Sequence, residues 1–277
     1  MNRVAAVRSA LLNKKFPRAH FEATTLGGVV TEKIHVEGEQ QAGCLLYFHG
    51  GGYFMGSIAT HRGFGLRLSF RSKRPVYLIE YRLAPENPYP AALEDALASY
   101  RALTEIHPPK SIVIGGDSAG GGLALALLLK LKEMGGPFPS GVFCLSPWTD
   151  LSCSEESHRF NSKNDYMFQP EHFEQWAPLY LGKESPTHPL ISPLYGDPSG
   201  LPPLFIQVGA SEMLLDDSRS FARKAREAGV EVELEVWDGM QHVWQIALPH
   251  LPESKQAVQK MLAFINKRLP ENGPTPR

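Results

Sequence analysis

The sequence predicts an α/β fold: a mostly parallel, twisted eight-stranded sheet flanked by helices. Two observations carry this reading. Strand-like runs alternate with helix-like runs along most of the 277 residues, and most of the strand-like runs are apolar throughout rather than at every second position. Continuous apolar runs belong to strands covered on both faces, and alternation with helices makes those strands parallel. The core strands are CLLYF (44–48), VYLIEY (76–81), SIVIGG (111–116), GVFCLS (141–146), PLFIQVG (203–209) and VELEVWDG (232–239). Two more polar runs, around 19–25 and 29–37, add an antiparallel edge. Helical patterns cover 91–104, 119–134 and 216–228, with a last one near 253–268.

Composition narrows the function classes. Apolar residues make up 43% and charged residues 21%, which is enough to bury a core and unlike a disordered chain. With 28 Lys and Arg against 29 Asp and Glu, the net charge is -1 and provides no general attraction for polyanions. Nucleic acid and anionic membranes are therefore not expected partners. Cys44, Cys144 and Cys153 are odd in number and lack metal-ligand spacing, which fits free thiols in a reducing cytoplasm. The start, MNRVAAVRSALLNKKF, is broken by Arg8 before a signal-type apolar run develops and reads as an amphipathic helix. The longest uncharged apolar segment, Ser118 to Leu129, is shorter than the roughly 20 residues needed to span a bilayer.

One region departs from the alternation. Between Pro147 and about Pro198 the chain is rich in Pro, Ser and aromatic residues and shows one clear helix, 171–181. An insertion of this length between core strands is expected to be a lid or binding element rather than an idle surface loop.

The chemistry starts at Gly116-Asp117-Ser118-Ala119-Gly120, which lies between a buried-type strand and a helix. This is the G-x-S-x-G elbow in its strand–turn–helix setting, which presents a serine hydroxyl on a sharp turn. A glycine-rich helix start that packs closely or holds phosphate is the plainer alternative. A serine needs a base and an orienting carboxylate, and on this scaffold they follow in the order Ser, acid, His. His242 falls in the loop after the last strand, whereas His250 follows Pro249 and reads as surface. Glu212 sits three residues past the strand-ending Gly209. Asp216 is its rival, although Asp216 and Asp217 resemble the acidic first turn of the next helix, and Asp238 reads as a turn residue.

The run His49-Gly50-Gly51-Gly52 after the first core strand complements the elbow. Without a Cβ, the amides of Gly51 and Gly52 can approach the serine and, with the amide of Ala119, donate to a developing oxyanion. His49 reads as a loop anchor.

Together, HGGG (49–52), YRLAPE (81–86), PYPAALEDA (88–96), GDSAGG (116–121), SPLYGDPSGLPP (192–203) and DGMQHVW (238–244) resemble the bacterial hormone-sensitive-lipase-like (family IV) carboxylesterases of the α/β-hydrolase superfamily. The motifs extend over most of the chain. The resemblance implies the α/β-hydrolase fold over residues 1–277, with a small, mainly helical cap from about 1–18 and 148–198. It implies carboxylesterase activity on short- to medium-chain acyl esters by a Ser118–His242–Glu212 triad, without metal or cofactor, and frequent homodimers through the edge strand near 232–237. Two departures stand out: Glu212 occupies a position usually held by aspartate, and the stretch before the first strand is short, which predicts a more open site. Candidates for the substrate pocket are Tyr53, Phe54, Asp117, Met167, Phe168, Trp176, Leu214 and Trp244, each with an alternative role in packing. An amidase or formamidase on the same machinery, or a non-catalytic ligand receptor on this fold, are the competing readings.

Overall fold

The computed structural model describes residues 18–38 and 41–269. The expected N-terminal helix, and with it nearly all of the 1–18 part of the cap, lies outside the described residues.

In chain order the strands are β1 (Ala19–Leu26), β2 (Val29–Val36), β3 (Cys44–Phe48), β4 (Val76–Ile79), β5 (Ile112–Asp117), β6 (Gly141–Leu145), β7 (Leu204–Gly209) and β8 (Val232–Trp237). They form one sheet in the order β1-β2-β4-β3-β5-β6-β7-β8. Only β2 runs against the rest, pairing antiparallel with β1 and β4. From β4 to β8 every pairing is parallel. The edge hairpin and the parallel core match the sequence reading, with boundaries shifted by one or two residues.

Among the described residues the helices are α1 (Ile58–Ser72), α2 (Ala91–Ile106), α3 (Ala119–Glu133), α4 (Ser157–Phe160), α5 (Pro170–Leu181), α6 (Leu215–Glu227), α7 (Trp244–Ala247) and α8 (Pro252–Arg268). The sheet separates two apolar clusters, and successive residues of β3 show why its strands need apolar side chains on both faces. Cys44, Leu46 and Phe48 join the cluster that includes residues of α2, α3 and α6; Leu45 and Tyr47 join the one that includes residues of α1 and α8. The alternation is the two-residue period of a pleated strand.

Helix α1 is absent from the sequence reading. Its residues, IATHRGFGLRLSFRS, carry two glycines and three arginines and show no clean apolar stripe. Two signals remain. Ser57 and Thr60 form a reciprocal capping box at its start, Thr60 N donating to Ser57 Oγ at 3.2 Å and Ser57 N to Thr60 Oγ1 at 3.0 Å. In addition, β3 and β4 are parallel neighbours, and such a connection needs a crossover element.

The order of the strands places the site. The chain leaves β3 toward β4 on one side and returns to add β5 on the other. Where connections diverge in this way, a crevice opens beyond the carboxyl ends of the strands. The loops after β3, β5, β7 and β8 all emerge there. Among the described residues no helix is long and apolar enough to cross a membrane.

Candidate active site

The β5–α3 turn holds Ser118 at φ 53, ψ -124, a conformation in which an L-residue is strained. The surrounding backbone imposes it. Ser118 N donates to Leu145 O at 2.8 Å, and the Ser118 carbonyl accepts from Gly122 N and Trp148 N, each at 3.1 Å. The flanking glycines are steric necessities: a Cβ on Gly116 would lie 2.3 Å from Gly120 O, and one on Gly120 would lie 2.2 Å from Phe48 O.

The loop after β8 carries His242, which is buried. Its Nδ1 lies 2.9 Å from Glu212 Oε2. Glu212 is fully buried on the loop after β7, and its other oxygen accepts from Ser146 Oγ at 2.8 Å and from Gly209 N. Ser146 Oγ in turn accepts from Val243 N at 3.3 Å, so one hydroxyl joins the carboxylate loop to the histidine loop. The Asn161 amide reaches the same loop, donating to Ala210 O at 3.0 Å and Glu212 O at 2.8 Å. A glutamate side chain therefore bridges the distance with both oxygens hydrogen-bonded, as a buried charge requires.

The rival carboxylates are engaged elsewhere. Asp216 accepts from Ser157 N at 3.0 Å. Asp217 lies in the first turn of α6, as the sequence reading has it, and is also fully buried: it accepts from Thr149 N and Asp150 N, both at 2.9 Å, and pairs with His158 Nε2 at 3.0 Å. Burial alone would lower the His158 pKa, but Asp217 outweighs it and raises it. The pair fastens the start of the 148–198 insertion to α6. Asp238 and His250 do not line the pocket described below.

After β3 the glycine loop bends through positive φ at Gly51 (126°) and Gly52 (61°). A Cβ on Gly51 would meet Met55 O at 2.2 Å. No acceptor among the described residues takes the amides of Gly51, Gly52 or Ala119. His49 is buried, stacks on Tyr81 with ring centroids 4.3 Å apart, and donates from Nδ1 to Gly50 O at 2.9 Å. Burial holds its pKa down at about 4, against a smaller upward pull from the Gly50 carbonyl, so it is neutral at ordinary pH. Asp117 is tied to the same loop, accepting from Gly50 N at 3.0 Å and from Tyr47 Oη at 2.7 Å, with His61 Nε2 at 3.3 Å.

A cavity of about 340 Å³ opens over this assembly, and Ser118, His242, Asp117 and the three loop glycines line it. Of the pocket candidates, Phe54, Met167, Phe168 and Trp176 form its apolar wall. Phe168 packs on the His242 ring at 4.6 Å between centroids, and Phe54 on Trp176 at 5.3 Å. Tyr53, Leu214 and Trp244 are corrections: all three are buried and absent from the lining. Tyr53 stacks on Tyr180 of α5 with centroids 3.8 Å apart, tying the glycine loop to the insertion. Leu214 joins the apolar cluster that includes residues of α2, α3 and α6, and Trp244 packs against Trp237 while Val243, Ile246 and Ala247 line the cavity. The sequence reading placed residues by proximity to motifs, and side-chain direction in irregular loops cannot be read from proximity. It also passed over His61, Ser146, Asn161 and Asp165. Of these, only His61 had a local signal, the capping box that starts α1.

The α/β-hydrolase-fold family model matches residues 45–246. An acetyl-hydrolase of Streptomyces hygroscopicus is 41% identical over 245 residues, 88% of this chain and 82% of its own. An esterase of Acinetobacter venetianus is 39% identical over 250 residues, 90% of this chain and 82% of its own. Among solved structures, an esterase from the bacterial hormone-sensitive lipase family superposes with a TM-score of 0.88 at 41% identity, covering 97% of this chain and 93% of that one. A hormone-sensitive lipase from a metagenome library gives 0.87 at 40% identity, covering 96% and 94%. By sequence and by fold, the chain thus belongs to the α/β-hydrolase-fold family, among the bacterial hormone-sensitive-lipase-type esterases.

Proposed function

We propose that the protein is a serine carboxylesterase in which Ser118, His242 and Glu212 form the catalytic triad. One observation carries the reading: Ser118 and His242 face the same cavity, and Glu212 Oε2 lies 2.9 Å from His242 Nδ1. With Nδ1 bonded to the carboxylate, Nε2 is the nitrogen left to take the serine proton. Ser118 Oγ attacks the ester carbonyl as its proton passes to His242. The oxyanion collapses to an acyl-enzyme while the alcohol leaves with that proton, and water, deprotonated by His242, then releases the acid. The amides of Gly51, Gly52 and Ala119 are the donors for the oxyanion, a contribution of a few kcal/mol. This mechanism calls on no metal or cofactor.

The substrate reading follows from the cavity. Its size and its wall of Phe54, Phe168, Trp176 and Met167 suit short- to medium-chain acyl groups of a small neutral ester. The 148–198 insertion supplies Met167, Phe168 and Trp176 and acts as the cap. Acetyl-hydrolase and esterase activities of the relatives agree with this class.

The test is hydrolysis of a p-nitrophenyl acyl series by the wild type and by Ser118→Ala. Turnover should fall by about three orders of magnitude or more in the variant, with the circular dichroism unchanged. Full activity in the variant would reject the triad. Faster turnover of a matched amide than of the ester would make the protein an amidase. A folded wild type that neither turns over esters nor reacts at Ser118 with a fluorophosphonate would make it a ligand receptor.

A further inference from the structure

One pocket-lining group has no part in the triad. His61, on α1, faces the cavity beside Thr60 and Asp117, and its side chain is 12% exposed. Both of its ring nitrogens are engaged. Nε2 lies 3.3 Å from the Asp117 carboxylate, and Nδ1 lies 2.9 Å from Thr60 Oγ1. That hydroxyl also lies 2.8 Å from Ser57 O, an acceptor for its single proton. With its proton on Ser57 O, Thr60 Oγ1 accepts from the ring, and the ionised carboxylate accepts as well. A ring that donates from both nitrogens is an imidazolium.

Its partner is a buried anion in a sensitive place. Asp117 immediately precedes the serine, and the same carboxylate holds Gly50 N, one residue before the Gly51 and Gly52 amides. Left alone, that charge would oppose the negative charge that grows on the carbonyl oxygen during attack, at short range and in a mostly apolar cavity. The other groups around the ring leave His61 as the compensating cation. Tyr47 donates its hydroxyl proton to Asp117, His49 is neutral at 5.5 Å between ring centroids, and Glu80, beyond β4, adds a further negative field.

We infer that His61 is a positively charged positioning residue, which cancels the Asp117 carboxylate beside the oxyanion amides and so makes ester hydrolysis depend on its own protonation. This rests on the serine-esterase reading above. Burial by itself would lower the His61 pKa, but the Asp117 charge and hydrogen bond, with help from the Ser57 carbonyl and Glu80, raise it. A group with a raised folded pKa keeps its charge to a higher pH than a free imidazole and loses it as pH rises through that value. Activity therefore has an alkaline limb: it falls as His61 deprotonates.

The experiment is the pH dependence of kcat and KM on p-nitrophenyl acetate for wild type, His61→Gln and the double variant His61→Gln/Asp117→Asn. In His61→Gln, kcat at neutral pH should fall about tenfold, with KM within about threefold, and the alkaline limb should vanish. Removing the carboxylate charge in the double variant should restore most of the lost kcat without restoring the limb, a rescue that a purely structural role would not give. In the wild type, ¹⁵N spectra of labelled histidine should show one ring, absent from the His61→Gln spectrum, that is doubly protonated at neutral pH. An unchanged alkaline limb in His61→Gln, failure of the double variant to recover, or a neutral His61 ring in those spectra would overturn the inference. Fluorophosphonate labelling of Ser118 in the same wild-type preparation separates the two levels, since loss of labelling defeats the esterase reading itself.

Discussion

At the scale of single residues, the site shows how a buried carboxylate can be kept charged and aimed. Glu212 is fully buried, yet both of its oxygens are hydrogen-bonded, one by His242 and the other by Ser146 and a backbone amide. Ser146 also accepts from Val243 N, so its hydroxyl serves two loops at once. Replacing Ser146 with alanine removes a bond to a charged group without adding volume. Stability in urea should drop by about 1–3 kcal/mol, and kcat should fall more than KM rises, because the imidazole is less firmly oriented. Unchanged kcat and unchanged urea midpoint would show that the hydroxyl has no positioning role. The residue was not identifiable in the sequence: Ser146 ends a strand far from both loops, and nothing local marks a serine whose partners lie 66 and 97 positions away.

At the scale of elements, the 148–198 insertion is held by charge as much as by apolar packing. Asp217 on α6 receives two backbone amides and the His158 ring, all inside the protein. A little further on, Asp165 accepts from Met167 N and Phe168 N with one oxygen and from Met213 N with the other, which ties the pocket-lining Met167 and Phe168 to the loop that bears Glu212. Breaking such a buried pair leaves a charge uncompensated, at a cost of about 3–5 kcal/mol. Asp217→Ala should lower the unfolding midpoint by several degrees and raise KM for longer acyl esters as the aromatic wall loosens, both measurable by thermal denaturation and steady-state kinetics. A wild-type midpoint would mean that the cap is fastened by its aromatic contacts alone. The sequence suggested a functional insertion from the length and composition of this region and placed Asp217 in the first turn of the next helix, but it did not show that Asp217 is buried. Helix-start statistics describe exposed ends, and this end is covered by the insertion itself.

At the scale of the whole molecule, β1 and β8 are the outermost strands of the sheet among the described residues. Among the described residues β8 pairs only with β7, and its other side presents donors and acceptors that another strand can satisfy. From the family resemblance we propose β8, residues 232–237, as the contact of a homodimer. Sedimentation should then give a species of twice the 30.7 kDa chain mass, dissociated by a proline at Leu234, and a monomer at micromolar concentration would reject it. The parallel core from β4 to β8 was legible because a strand covered on both faces must be apolar at every position. Helix α1 was not, because its glycines and arginines blur the helical period and its place is secured by packing on the sheet rather than by its own pattern.

By itself the sequence determined the kind of fold and pointed to candidate chemical actors. A continuous apolar period, glycines where a Cβ would strike backbone, and the order serine, acid, histidine are local or linear facts that survive without coordinates. Only the tertiary structure decided which of several carboxylates meets His242, which aromatic residues face the cavity rather than the core, and that His61 stands against Asp117. Those outcomes depend on the direction of side chains in loops brought together from distant parts of the chain. That direction is set by long-range packing and hydrogen bonds, which no spacing along the sequence encodes.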